Sequence, residues 1–130
     1  MDKARQGVDS PEEIVYSNGL LYISNENKDK LLVADKEGNV VFGFDKIHSP
    51  EGIAVNAQGT VYLGLDGGGI TMIKKNGERE VIADFYDGLR NTESIVLDKQ
   101  GNLIVADKKP GCIYKIVPKN KKDSKIWPLR

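Results

Sequence analysis

The feature that most constrains this chain is a unit of about forty residues that occurs three times. The stretches Val8-Asp9-Ser10-Pro11-Glu12, Ile47-His48-Ser49-Pro50-Glu51 and Leu89-Arg90-Asn91-Thr92-Glu93 share one pattern: an aliphatic residue, a variable one, Ser or Asn, Pro or Thr, then Glu. Each glutamate is followed by a short run of strand-favouring residues, Ile14-Val15-Tyr16, Ile53-Ala54-Val55 and Ile95-Val96-Leu97. Each run ends in a glycine turn of the kind hairpins use: Ser17-Asn18-Gly19, Asn56-Ala57-Gln58-Gly59 and Asp98-Lys99-Gln100-Gly101. Second strands are expected at Leu20 to Ser24, Thr60 to Leu65 and Asn102 to Ala106, and third strands at Lys30 to Ala34, Gly69 to Lys74 and Cys112 to Val117. Fourth strands are expected at Val40 to Phe44, Glu80 to Phe85 and Lys125 to Leu129, the last beside Pro118 and Pro128, which suit an edge strand better than a central one.

Four short antiparallel strands in every repeat are what a β-propeller blade is made of. A helical solenoid is disfavoured because apolar residues do not recur at a 3.6-residue period, and a β-helix because no shorter repeat lies inside the unit. The expected fold is therefore all-β: one domain over residues 1–130, with blades at about 11–46, 50–87 and 92–129. Propellers close with about four to eight blades, so three would leave an apolar sheet face open at each end of an arc. The simplest closure is a homodimer in which two chains complete a six-bladed ring; the alternative is that the missing blades belong to a longer polypeptide.

Charge and cysteine content narrow the chemistry. The 19 basic residues equal the 19 acidic ones and neither sign forms a block, so no footprint for nucleic acid or an anionic membrane is present. No apolar run approaches the roughly 20 residues of a membrane span, and Met1 to Ser10 do not resemble an export signal, so a soluble, cytoplasmic protein is expected. A single cysteine, Cys112, excludes an internal disulfide, and with a single histidine, His48, it excludes a four-ligand Cys/His zinc site within one chain. A metal would need oxygen ligands.

The segment Pro50 to Ile73, PEGIAVNAQGTVYLGLDGGGITMI, resembles the calcium-dependent six-bladed propellers of the gluconolactonase and senescence marker protein (regucalcin) family, and is similar to NHL-type repeats. The resemblance implies a divalent cation, calcium above all, at the start of the innermost strands, with Glu12, Glu51 and Glu93 in the ligand positions. Glu12 matches the family's Glu followed after three residues by an aromatic, here Tyr16, and Glu51 stands at the acidic position of Pro-acidic-Gly. Glu93-Ser94 replaces the Asn-Gly often found in the third such position. Carboxylates aimed at one axis repel by about 1 kcal/mol per pair at roughly 4 Å even in water, so a hard cation, a nearby Lys or Arg, bound water or retained protons must relieve them. The bland alternative for all three is a turn cap or a solvated channel mouth.

Other residues are weighed in the same way. His48, three residues before Glu51, is a candidate general base, against the more ordinary role of an exposed loop histidine. Arg90 and Asn91, in the corresponding loop of the next repeat, are candidates for binding an anionic or sugar-like ligand, against plain loop polars. Cys112 reads as a small packed hydrophobe, and Trp127 as a packing residue at a blade edge or the dimer seam. The expected function is metal-dependent hydrolysis of a small lactone or ester. The alternatives are a non-catalytic binding or assembly module, or a half-propeller fragment with no activity of its own.

Overall fold

The computed structural model describes residues 9–109 and 111–129. It contains twelve strands: β1 (Pro11–Ser17), β2 (Leu20–Asn25), β3 (Lys30–Asp35), β4 (Val40–Phe44), β5 (Pro50–Val55), β6 (Val61–Leu65), β7 (Ile70–Ile73), β8 (Arg79–Ala83), β9 (Thr92–Leu97), β10 (Leu103–Asp107), β11 (Cys112–Val117) and β12 (Lys125–Pro128). They form three four-stranded sheets in chain order, antiparallel throughout. The sheet content is as expected from the repeat. The larger differences are that the first strand of each sheet begins at the Pro or Thr before the glutamate and that β8 stops at Ala83, while several other strand ends shift by one residue. Beyond it Asp84 caps a 3₁₀ turn at Phe85–Asp87, accepting from the Tyr86 amide at 2.9 Å, while Asp87 accepts from the Asp84 amide. β12 is the outer strand of its sheet, where Pro128 removes no bond to a further strand.

The sheets stack through their first strands: β5 packs on β1 and β2, and β9 packs on β5 and β6. Two apolar layers result. Tyr22, Leu31, Val33, Ile53, Val61, Leu63 and Ile73 fill the first seam, and Ala54, Tyr62, Ile70, Ile95, Leu103, Val105 and Ile116 belong to the second. Near the inner edge the backbones almost touch. The buried Ser24 hydroxyl donates to the Glu51 carbonyl at 2.7 Å across the first seam. At the equivalent place in the second seam stands Gly64, where a Cβ would lie 2.5 Å from the Thr92 carbonyl oxygen.

Each sheet's turns are closed locally. Asp35 accepts from the amides of Glu37 and Asn39, Asn56 from those of Gln58 and Thr60, and Asp98 from those of Gln100 and Asn102, all at 2.9–3.0 Å. The bond from the Asn39 amide, and that from the Asn102 amide, hold the Asp35 and Asp98 carboxyls below the usual carboxylate range. This is the ordinary chemistry of Asx turns, and it explains why Asp or Asn precedes the turn glycine.

Candidate functional site

Antiparallel pairing brings the end of each second strand beside the start of the first. In the first sheet Pro11 pairs with Asn25, so the next residue, Glu26, comes against the segment entering β1, its amide donating to the Ser10 carbonyl at 3.0 Å. Asp66 does the same to Ser49 and Lys108 to Asn91. Two sets of equivalent positions therefore face the inner end of the sheets: Glu12, Glu51 and Glu93 on the first strands, and Glu26, Asp66 and Lys108 after the second.

Carboxylate oxygens of Glu12, Glu26 and Glu51 lie within 4.8 Å of one another. Glu12 is exposed, Glu26 half-buried and Glu51 buried, at 6% exposure. No donor among the described residues reaches Glu51 Oε2. Burial, followed by carboxyl-to-carboxyl hydrogen bonding with Glu93 and Glu26 and by their charge, pushes the Glu51 pKa up to about 9. Glu12 is also raised, first by desolvation and then by Glu26 and Glu93, with Lys108 opposing. Glu93 stands at the flank of the trio, its carboxylate 3.7 Å from the Lys108 ammonium. Glu26 is the member that the sequence reading missed. It does not recur in kind, since its equivalents are Asp66 and Lys108, and the signal for it was the pairing of β1 with β2 rather than a motif.

The other candidates lie on neighbouring loops. His48 is exposed, with its ring beside Gly67: a Cβ on Gly67 would be 3.7 Å from His48 Cδ2. Asn91 is buried, its Nδ2 donating to Asp66 at 3.1 Å, while Oδ1 meets no donor among the described residues. The segment carrying Arg90 and Asn91 is clamped by the buried Asp107 carboxylate, which accepts from both amides at 2.8 and 2.9 Å. Asn25 plays the same part in the first sheet, accepting from the amides of Asp9 and Ser10. The exposed Arg90 guanidinium lies 4.4 Å from the Phe85 ring centroid, a cation–π contact. Cys112 is half-buried, and Trp127 is half-exposed on the outer strand β12. No helix among the described residues is long and apolar enough to cross a membrane.

Comparison with solved structures decides the architecture. The virginiamycin B lyase of Staphylococcus aureus superposes with a TM-score of 0.73 at 14% identity over 93% of this chain and 41% of that one. The chain folds as three blades of a β-propeller. A streptogramin B lyase gives the same TM-score at 18% identity, over 89% of this chain and 39% of its own. A provisionally assigned 6-phosphogluconolactonase from Bacteroides fragilis gives 0.67 at 13% identity, over 92% and 38%. The blades thus span about two fifths of the length of these structures. Residues 41–73, from β4 to the end of β7, match the model of a family described as strictosidine synthase-like, N-terminal. No curated protein sequence matches.

Proposed function

We propose that the inner end of these blades binds a hard divalent cation, with calcium the best fit, and that the cation serves hydrolysis of a small lactone or ester. The observation that supports this most is Glu51: a buried carboxyl against those of Glu26 and Glu93, whose Oε2 meets no donor among the described residues. An all-oxygen donor set of this kind suits calcium rather than zinc or copper. Glu12, Glu26 and Glu51 would hold the ion, and Glu93, paired with Lys108, would border it. When bound, such an ion polarises a carbonyl and makes it a better electrophile.

The chain's own residues would do the rest. His48, exposed on the loop that precedes Glu51, would take a proton from a water molecule, and the exposed Arg90 would donate to the oxygens of an anionic or sugar-like substrate, while Asn91, buried with its Nδ2 held by Asp66, would support that loop. The lactonase name of one structural neighbour is in keeping with a hydrolytic reaction, and the lyase name of another with an eliminative one. A non-catalytic binding module is the second reading, favoured by Lys108, which meets part of the acidic charge from within the protein.

Calcium titration into chelator-treated protein, followed by calorimetry and thermal unfolding, tests the site. An ion present at about a hundred times its Kd stabilises a fold by about 3 kcal/mol, and this gain should vanish in Glu51→Gln. Absence of heat and of stabilisation at about millimolar calcium would remove the cation reading. Binding without calcium-dependent lactone or ester hydrolysis would leave the binding module.

A further inference from the structure

The seams inside the chain show what one blade requires of the next. On the face turned toward the following blade, each of the first two blades carries a small residue near the inner edge: Ser24 in blade 1 and Gly64 in blade 2, both buried. Gly52 is a second such residue in blade 2, where a Cβ would lie 2.7 Å from the Glu93 carbonyl oxygen. These residues let the incoming first strand approach backbone to backbone. By strand register, the equivalents of Gly64 and Gly52 in blade 3 are Ala106, paired with Ser94, and Ser94 itself. They are small as well, but Ser94 is exposed and Ala106 half-buried. The same face presents Val96 (60% exposed), Ile113 (50% exposed) and Trp127.

Blade 1 offers the opposite half of such a seam. Ile53 and Val55 of blade 2, and Ile95 and Leu97 of blade 3, are the first-strand residues turned toward the preceding blade. Their equivalents in blade 1 are Ile14 (58% exposed) and Tyr16 (64% exposed), with Leu21 and Ile23 half-buried beside them on β2. One end of the arc is thus built as a front face and the other as a back face of the same kind of joint. Two large apolar faces of this type on one molecule are interaction surfaces.

We propose that the front of blade 3 receives blade 1 of a second copy of this chain, and that two reciprocal joints close a six-bladed ring. The joint follows the pattern of the internal seams. It sets the first strand of the incoming copy on Ser94 and Ala106, as Thr92 and Glu93 sit on Gly64 and Gly52. The second copy's Glu12 thereby comes beside Glu93, in the relation that Glu93 has to Glu51, so the acidic hub is completed only by the partner. A twofold arrangement satisfies both ends with no free face, whereas any other repetition of a head-to-tail joint leaves an open chain or a larger ring.

Sedimentation velocity and native mass spectrometry of the wild-type chain at tens of micromolar should show a species of twice the chain mass. Ala106→Trp fills the receiving face, and Ile14→Asp places a charge on the entering face. Ile14 is exposed and Ala106 is half-buried on the open face of blade 3, so each variant should keep its far-ultraviolet circular dichroism and sediment as a monomer. Mixing the two variants leaves one unaltered joint per pair and should restore dimer, with at least tenfold weaker association than wild type. A wild-type monomer, a wild-type assembly larger than two, or variants that dimerise like wild type would overturn the proposal. Mass is read without calcium, so this outcome is separate from that of the cation titration.

Discussion

Glu51 makes the stability of the protein depend on pH in an unusual direction. The carboxyl has an ordinary value of 4.5 and is raised to about 9 in the fold, chiefly by burial. Between these values the folded chain keeps a proton that the unfolded chain has released, so stability falls as pH rises through the window. Each pKa unit corresponds to about 1.4 kcal/mol, which makes the loss about 3 kcal/mol at about pH 7 relative to the acid side. This is an upper bound, because water entering the cluster or separation of the carboxyls would relax it. Glu51→Gln removes the charge and supplies donors to Glu26 and Glu93. It should therefore be more stable than wild type above neutral pH by about 2–3 kcal/mol, or roughly 10 °C in Tm. Urea unfolding at a series of pH values, with chelator present, measures this directly. The wild-type minus variant difference isolates Glu51 from other titrating groups. A difference that stays flat, or that favours wild type increasingly as pH rises, would refute the assigned burial and contacts of Glu51.

Further outcomes follow from the loops and the close approaches. Asp107→Ala should cost about 2–4 kcal/mol by leaving the Arg90 and Asn91 amides without their acceptor, with faster hydrogen exchange at both; Asp107→Asn should cost less, since Asn25 fills the same role in blade 1. Gly68→Ala should cost more than about 2 kcal/mol in chemical denaturation, because at φ +95° its Cβ would overlap the Leu89 carbonyl. Gly77→Ala, at φ +91° in open space, should cost only about 1 kcal/mol.

What could be read from the sequence, and what could not, divides along one physical line. Whatever repeats by local rule was visible: the turn glycines with their Asp or Asn, the strand runs between them, and the recurring glutamates on the first strands. The same rule misplaced the end of β8, because Asp84 caps a turn there and takes Phe85 out of the strand. Glu26 was invisible to a search for repeats because blades 2 and 3 carry Asp66 and Lys108 in its place, and only pairing of β1 with β2 brings it to the cluster. Nor did the sequence distinguish Glu51 from Glu12 and Glu93. Their motifs are alike, but Glu51 belongs to the middle blade and is covered from both sides, whereas Glu12 stays open and Glu93 meets Lys108.

The Asx turns of Asp35, Asn56 and Asp98 carry a consequence for the order of folding. Each carboxylate or amide oxygen grips amides only two and four residues further along the chain, so these hairpins can nucleate on the microsecond scale before any sheet meets another. The seams join residues far apart in sequence and must form later. Docking of preformed blades is then the slow event, and where a second molecule supplies the last joint, its rate rises with protein concentration.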